Sequence, residues 1–236
     1  AGLGGLGNIR TIAPLVAVPT TSGTGSEVSN GAVIIMDNGE KLILASQHLV
    51  PRTAICDPSL TLGLPPLLTA ATGMDAMTHC VEALLSPQIN PPAEAVACDG
   101  IARGIRDGHL LKAVRDGKDE DARWHMMMAA TEGAMAVSKG LGAVHAMSHA
   151  CGADHVGEKF KRLNAALGQD ADADPADFIR NLNAELKLPA SLAEMGVKDG
   201  DVPQLAAHAA KDVCNFTNPR PASAEVYEEL FKTALA

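Results

Sequence analysis

The chain has 236 residues, of which 47% are hydrophobic and 20% are charged, and its formal net charge is -9. This length and apolar content predict a packed globular protein and argue against an intrinsically disordered one. The acidic balance argues against a nucleic acid as the main partner, and no apolar run reaches the roughly 20 residues of a transmembrane helix. We therefore expect no nucleic-acid partner and no membrane partner.

The cysteine and aromatic contents give two further expectations. The five cysteines are an odd number, are widely spaced and form no C-x-x-C motif. Such a pattern predicts reduced thiols in a cytoplasmic protein rather than a disulfide framework. Aromatic residues make up only 3% of the chain, so the core must consist of Ala, Leu, Val, Ile and Met, which suits closely packed helices.

The residues before Pro65 are typical of short strands separated by turns. Four β-type runs, bounded by Gly, Asn, Asp and Pro, are PLVAVPTT, GAVIIMDN, KLILAS and RTAICDP. The opening AGLGGLGNIR contains the glycines of a nucleotide loop, but it is followed by a strand instead of the helix that a dinucleotide fingerprint requires. We interpret it as a flexible loop.

A stretch rich in hydroxyl groups, VPTTSGTGSEVSNGAVI, follows the first predicted strand. Ligands of α/β sheets bind beyond the carboxyl ends of the strands, and this stretch supplies hydroxyls and glycines at that position. It therefore predicts a nucleotide site. A turn that uses its hydroxyls only for local capping is an equally good interpretation of these residues alone.

After Pro66 the apolar residues recur at helical spacing. DPADFIRNL and RPASAEVYEEL carry the Pro, small polar and acidic residues of helix starts. The predicted helices are 67–85, 91–107, 119–138, 140–150, 156–168, 175–187, 202–213 and 222–235. The predicted fold class is α/β, with residues 1–64 forming part of an α/β domain and residues 65–236 forming an all-helical domain.

Two pairs of potential metal ligands stand four residues apart on predicted helices, Asp75 with His79 and His145 with His149. Residues at this spacing share one helix face, and an Asp oxygen with an imidazole nitrogen can bind one divalent metal. Each pair alone favours ordinary solvated polar residues over a metal site. Both helices are nevertheless rich in Ala, Met and Gly, so two buried pairs that met would be satisfied by a shared cation.

Five sequence blocks together resemble one known family. They are PTTSGTGSEVS, DPSLTLGLPP, TAATGMDAMTHCVEALLSP, GLGAVHAMSH and TNPRP. In this order, and over nearly the whole chain, they are similar to the iron-dependent (group III) alcohol dehydrogenases. The resemblance implies that residues 1–64 are part of a Rossmann-like α/β domain that binds NAD(P). It also implies that residues 65–236 are an all-helical, metal-binding domain that holds Fe²⁺ or Zn²⁺, with a site in the cleft between the two domains.

The resemblance also implies a role for individual residues. Asp75, His79 and His145 match metal ligands, and His149 matches a histidine near the nicotinamide that is not a ligand. The residues implied in cofactor binding are Thr20, Thr21, Thr24, Ser26, Lys41 and Leu62. The implied activity is hydride transfer between an alcohol or aldehyde and a nicotinamide cofactor, in a homo-oligomer. A polyol-dehydrogenase-type or dehydroquinate-synthase-like enzyme on the same architecture is an alternative.

The chain departs from the family pattern in two places. The half-domain with the G-G-G-S pyrophosphate loop has no counterpart, and the PHG-type stretch with a fourth ligand is missing at a join near Ala153–Asp154. His155 could substitute as a ligand, but we assign it to the far side of the skipped segment. Either the sequence omits segments of a longer protein, or the chain is a truncated paralogue, a non-catalytic oligomerisation module.

Overall fold

Short strands form the first part of the chain and helices form the rest. The structure is a computed structural model that describes residues 9–35, 37, 41–146 and 158–236. Its strands are β1 (Val16–Ala17), β2 (Gly31–Ile35), β3 (Lys41–Ala45) and β4 (Thr53–Ala54). β1 pairs with β4 in parallel, and β2 pairs with β3 antiparallel, with Gly31 opposite Ala45. All four strands lie within the runs predicted from the sequence.

The helices also follow the predicted order. They are α1 (Pro66–Leu85), α2 (Pro91–Ile101), α3 (His109–Arg115), α4 (Glu120–Ala136), α5 (Ala143–Ala146), α6 (Glu158–Leu167), α7 (Pro175–Glu185), α8 (Val202–Lys211) and α9 (Ala224–Leu235). A π-helical turn, Ala102–Arg106, continues α2. The sequence did not predict α3, because this helix has only seven residues and follows Gly108, whose φ is 75°. The chain is thus an α/β segment followed by a helical one, the predicted fold class.

Local capping explains where several helices begin. Asp119 accepts a hydrogen bond from the Ala122 amide (2.9 Å) at the start of α4, and Asn90 accepts one from the Ala93 amide (3.3 Å) in α2. Asp174 caps α7 in the same way, and Pro175 occupies the first helical position. These side chains satisfy amides that have no partner within the helix.

Helix α1 lies between two of the hydrophobic clusters. Met77 packs in a cluster with residues of α3 and α4, whereas Cys80 and Leu84 pack in a cluster with α2 and α6. A third cluster joins α8 and α9 through Tyr227 and reaches Ala143 of α5. Because both sides of α1 are packed, the polar face of this helix is held in a fixed direction.

Glycines let the central helices approach closely, as the low aromatic content predicts. A Cβ atom on Gly104 would stand 2.4 Å from Met77 Sδ, and one on Gly100 would stand 2.7 Å from Cys80 Sγ. Either contact is far shorter than side chains tolerate. The cysteines that the structure describes, Cys56, Cys80, Cys98 and Cys214, are free thiols. Among the described residues, no helix has the length and apolar character needed to cross a bilayer.

The C-terminal end of α1 is fixed by the buried ammonium group of Lys139. It donates hydrogen bonds to the carbonyls of Ala83 (2.8 Å), Leu84 (3.1 Å) and Ser86 (2.8 Å), and it pairs with Glu94 Oε1 at 3.1 Å. Burial lowers the pKa of Lys139 to about 8. A cation at this position satisfies the last carbonyls of the helix and complements its dipole.

Candidate metal and cofactor site

One face of α1 carries three groups with metal or proton chemistry. Asp75, His79 and Glu82 stand four and then three residues apart, so their side chains lie on one face of the helix. His79 is 8% exposed and Glu82 is 5% exposed, so both lie inside the protein. Buried polar groups of this kind need partners.

His145 reaches this face because the start of α5 is tied to two distant segments. The amide of Ala143 donates a hydrogen bond to Asn218 Oδ1 (3.1 Å), which belongs to the TNPRP block. A Cβ atom on Gly142 would stand 2.8 Å from that oxygen and 3.2 Å from Glu82 Oε1, so the close approach requires glycine there. TNPRP therefore serves to position the helix that carries His145.

The structure brings together the three residues that the sequence pairs singled out. Ligand atoms of Asp75, His79 and His145 all lie within 4.8 Å of one another. His145 Nε2 stands 3.8 Å from Asp75 Oδ1, and the rings of His79 and His145 are stacked with centroids 4.6 Å apart. Two imidazoles and a carboxylate suit Fe²⁺, Zn²⁺ or a similar cation.

A buried atom supports this fit. His79 Nδ1 is buried and has no hydrogen-bond partner within the described part of the chain. An unsatisfied buried nitrogen costs free energy, and a bound cation would remove that cost. The three residues therefore fit a divalent metal, and their assignment as ligands stays a prediction.

Glu82 lies directly behind His145 and was missed by the sequence reasoning. Its Oε2 hydrogen-bonds His145 Nδ1, and its Oε1 accepts hydrogen bonds from the backbone amides of Val144 and His145. A carboxylate that accepts the Nδ1 hydrogen of a histidine fixes the tautomer and leaves Nε2 free to bind a metal. Extending the helical spacing of Asp75 and His79 by one more turn would have found it.

The two imidazoles have opposite electrostatic environments. Burial and the neighbouring His145 lower the pKa of His79, against the opposing charges of Asp75 and Glu82. Burial also disfavours protonation of His145, but the hydrogen bond and charge of Glu82 outweigh it and raise its pKa. The neutral form of His79 is the form that binds a metal.

The hydroxyl-rich stretch lies against the helices that carry this cluster. A Cβ atom on Gly23 would stand 2.9 Å from Thr72 of α1, and one on Gly25 would stand 2.3 Å from the Ala134 Cβ of α4. Gly25 also has a φ of 59°, which favours glycine. Thr131 of α4 further donates a hydrogen bond to the buried Glu27 (2.7 Å).

This packing directs the side chains of the loop in alternating directions. Ser22 and Glu27 are buried against the helices, whereas Thr20, Thr24 and Ser26 are exposed. Thr21 is half-buried. The loop therefore presents exposed hydroxyls on its outer side, where Thr24 Oγ1 donates a hydrogen bond to Ser26 Oγ (3.5 Å), while its glycines contact α1 and α4.

The structure describes the remaining predicted site residues only in part. Leu62 is half-buried after the 3₁₀ turn Pro58–Thr61, and its carbonyl faces Gly117. The backbone of Lys41 begins β3, but its side chain lies outside the described part of the structure. His149, His155 and the join at Ala153–Asp154 lie outside the described residues altogether.

Comparisons with known protein families agree with the fold. The model described as "Fe-containing alcohol dehydrogenase family, C-terminal" matches residues 69–156 and 153–235, and that described as "Iron-containing alcohol dehydrogenase" matches residues 5–58. Together they define a metal-dependent dehydrogenase fold. The chain belongs to the iron-containing alcohol dehydrogenase family. The C-terminal model matches in two parts that overlap at residues 153–156, beside the join at which the sequence analysis expects a skipped segment.

Individual relatives are longer than this chain. It is 43% identical to a 4-hydroxybutyrate dehydrogenase of Cupriavidus necator, over 94% of this chain and 66% of that protein. It is 38% identical to alcohol dehydrogenase 4 of Schizosaccharomyces pombe, over 94% of this chain and 59% of that protein. The chain therefore spans less than two thirds of the length of these curated relatives.

A solved structure supports the same family fold. The chain superposes on a 1,3-propanediol oxidoreductase with a TM-score of 0.85 and 32% identity, covering 96% of this chain and 67% of that one. The α/β segment and the helical segment are thus the corresponding parts of a known dehydrogenase fold.

Proposed function

We propose that this protein is a metal-dependent alcohol dehydrogenase that transfers a hydride between a small alcohol or aldehyde and a nicotinamide cofactor. The observation that carries the proposal is the packing of the hydroxyl-rich loop on the metal-binding face. Gly23 contacts Thr72, which stands two helical turns before His79 on α1. A cofactor held by this loop would lie beside the Asp75, His79 and His145 cluster.

Each group of the cluster has a distinct task in this proposal. Asp75, His79 and His145 hold Fe²⁺ or Zn²⁺, and Glu82 keeps His145 in the tautomer whose Nε2 faces Asp75. When bound, the metal supplies Lewis-acid polarisation of the alcohol oxygen, and the nicotinamide accepts the hydride. His79 and Glu82 are buried, whereas the Asp75 side chain is 38% exposed, which leaves the cluster open to substrate on that side.

The cofactor is held by the outer side of the hydroxyl-rich loop in this proposal. Thr20, Thr21, Thr24 and Ser26 supply hydrogen bonds to it, and Lys41 and Leu62 contact it further along. We propose NAD as the cofactor, because a structurally similar sulfoacetaldehyde reductase from Bifidobacterium kashiwanohense was solved in complex with NAD⁺ (TM-score 0.80, 25% identity). That match covers 99% of this chain and 69% of the reductase.

The proposed substrate is a small primary alcohol, since the relatives are named for 4-hydroxybutyrate and 1,3-propanediol. His149 is the proposed proton relay beside the nicotinamide. Replacing His149 should lower turnover more than metal content, and an equal loss of both would make it a structural or ligand residue. We also propose a cytoplasmic homo-oligomer, which light scattering and cell fractionation would test.

The test is an assay of the whole protein after removal of metal and reloading with Fe²⁺ or Zn²⁺. We expect NADH to form from NAD⁺ with 4-hydroxybutyrate, 1,3-propanediol or a similar alcohol, and we expect a chelator to abolish the rate. NAD⁺ binding is measured in parallel by calorimetry. A protein that binds neither NAD⁺ nor NADP⁺ would be the non-catalytic module instead, and turnover that survives chelation would refute the metal-dependent reaction.

A further inference from the structure

A second cluster of metal-ligating groups lies where α3 begins and α4 passes it. Asp121 and His125 stand four residues apart on α4, and His109 is the first residue of α3. Ligand atoms of these three residues all lie within 4.8 Å of one another. The rings of His109 and His125 are stacked with centroids 3.9 Å apart, and His125 Nε2 stands 3.9 Å from Asp121 Oδ1.

This cluster has the same composition and spacing as the one on α1. Each combines an Asp, a His one turn later on the same helix, and a second His whose ring stacks on the first. Each also contains a buried imidazole nitrogen that lacks a hydrogen-bond partner within the described residues. In the second cluster it is Nδ1 of His109, a residue that is 8% exposed.

We propose that His109, Asp121 and His125 form a second metal site for a borderline divalent cation such as Zn²⁺, Co²⁺ or Ni²⁺. Two imidazoles and a carboxylate are ligands that these cations share. Metal–ligand bonds of about 2.1 Å place the ligand atoms of a tetrahedral site roughly 3.4 Å apart, so side-chain rotation must close the cluster. Because an imidazole nitrogen binds a metal in the plane of its ring, the two stacked rings must also turn away from their 14° interplanar arrangement. The proposal is independent of the dehydrogenase activity.

The surroundings allow both access and binding at neutral pH. The side chain of Asp121 is 78% exposed, so a cation can enter from solvent and water can complete its coordination. Burial and the neighbouring His125 and Lys112 lower the pKa of His109, which keeps its imidazole neutral. Neutral imidazole is the form that ligates metals.

Arg103 makes this second site weaker than the first. Its Nη1 stands 3.2 Å from His125 Nδ1, and because a guanidinium only donates, Nδ1 accepts and the hydrogen of the neutral ring sits on Nε2. Metal binding at Nε2 releases that proton, while Nδ1 takes one up and Arg103 turns away. Arg103 Nε also contacts Asp99 Oδ2 (2.7 Å) and Glu132 Oε1 (3.1 Å), so these two carboxylates remain as partners for the guanidinium when Nη1 leaves His125.

The proposal is tested by equilibrium dialysis and calorimetric titration of the metal-free protein with Zn²⁺. His79→Ala should lose the tighter binding event and keep the weaker one. His125→Ala and the isosteric Asp121→Asn should each weaken the second event at least ~10-fold, since direct ligands matter at least as much as groups behind them. His208→Ala, which removes an exposed histidine of α8, is the matched control.

Circular dichroism of each variant confirms that it is folded before the titrations are compared. Asp121→Asn keeps the test valid if His125→Ala disturbs the stacked rings. If the Zn²⁺ isotherms of both variants superpose on that of the unmodified protein, the second site does not exist.

Arg103→Gln tests directly whether Arg103 competes with a metal for His125. A glutamine oxygen can accept a hydrogen bond from His125 Nδ1, which stabilises the tautomer whose Nε2 is free. We therefore expect Arg103→Gln to bind Zn²⁺ at the second site several-fold more tightly than the unmodified protein does. Unchanged or weaker binding would show that Arg103 does not compete with the metal.

Discussion

The two Asp–His–His clusters differ in what stands behind one imidazole. On α1 the carboxylate of Glu82 accepts the Nδ1 hydrogen of His145, so that Nε2 is available toward Asp75. On α4 the guanidinium of Arg103 donates to Nδ1 of His125, so that Nε2 carries the hydrogen toward Asp121. Residue types and helical spacing are the same in both, yet the tautomers are opposite.

This contrast teaches that the groups around the ligands determine the strength of a site. A carboxylate behind a histidine raises the basicity of the ligating nitrogen and orients the ring. A cation behind it favours the wrong tautomer and repels the metal charge. We therefore expect the α1 cluster to hold its metal tightly, and the α4 cluster to exchange its metal with solvent.

The largest expected effect separates the two clusters by function. His79→Ala should weaken metal binding at the α1 cluster at least ~100-fold and abolish alcohol oxidation, because a direct ligand is lost. His125→Ala should leave turnover within about twofold, because no step of the proposed reaction uses the α4 cluster. Metal content after dialysis and the rate of NADH formation measure the two effects. Comparable loss of turnover in both variants would contradict the proposal that only the α1 cluster takes part in the reaction.

The next effect concerns the hydroxyl-rich loop, which is the proposed cofactor loop of the α1 cluster. Gly25→Ala places a methyl group 2.3 Å from the Ala134 Cβ and forces a φ of 59° on a residue with a side chain. Overpacking and left-handed strain together should lower the free energy of unfolding by about 2–4 kcal/mol. NAD⁺ affinity should fall, while Zn²⁺ binding to the α4 cluster persists. Denaturant melts and calorimetry measure these changes.

Gly63→Ala is the matched control for Gly25→Ala, since no atom lies within 4 Å of a Cβ at that position and its φ is not left-handed. It should change stability by no more than about 1 kcal/mol. Equal destabilisation by both variants would mean that the contact of Gly25 with α4 is not what matters.

The sequence predicted the parts of this comparison that depend on local spacing. The strands, most helices and the shared face of Asp75 and His79 follow from alternation and helical periodicity. The convergence of His145 on that face depends on Asn218 and Gly142, contacts between segments far apart in sequence, and here the family resemblance supplied what spacing could not. His109 was missed because its short helix was not predicted.

Glu82 was missed for a different reason. It was visible on the predicted face of α1, but nothing in the sequence indicates that the backbone amides of α5 would converge on its carboxylate. It is likewise tertiary packing that places Glu82 behind His145 and Arg103 behind His125. Sequence patterns identified candidate ligands, but they did not identify the groups that set the tautomers of those histidines.

Glu82→Gln tests whether the carboxylate behind His145 strengthens metal binding, and its expected effect is smaller than that of Gly25→Ala. The amide keeps the shape of the side chain but removes the charge that favours the Nδ1 hydrogen of His145. We expect metal affinity at the α1 cluster to fall about 10–100-fold, as for other groups that orient metal-binding histidines. Competition with a metal-binding dye measures the affinity without relying on activity.

Glu229→Gln, at an exposed position of α9, is the control for Glu82→Gln and should leave the affinity unchanged. If Glu82→Gln binds metal as tightly as this control, the carboxylate behind His145 does not account for the difference between the clusters.

The smallest effect involves Glu132, one of the two carboxylates that hold Arg103. Burial, with Asp99 nearby, raises the pKa of Glu132 from 4.5 to about 7 against the opposing charge of Arg103. The folded protein therefore keeps a proton that the unfolded chain has already lost, so this group's contribution to stability falls as pH rises between about 4.5 and 7. A tenfold difference in proton affinity between the two states corresponds to ~1.4 kcal/mol, and solvent at the 18% exposed side chain screens part of it.

Glu132→Gln cannot titrate, so its stability relative to the unmodified protein should rise by about 1–2 kcal/mol across that window. Urea melts at both ends of the window measure the difference, and a constant difference would mean that folding does not raise the pKa of Glu132, so that the group is ionised at neutral pH. In that case Arg103 would be paired with a full charge, its hold on His125 would be weaker, and the two clusters would differ less in metal affinity than their geometry indicates.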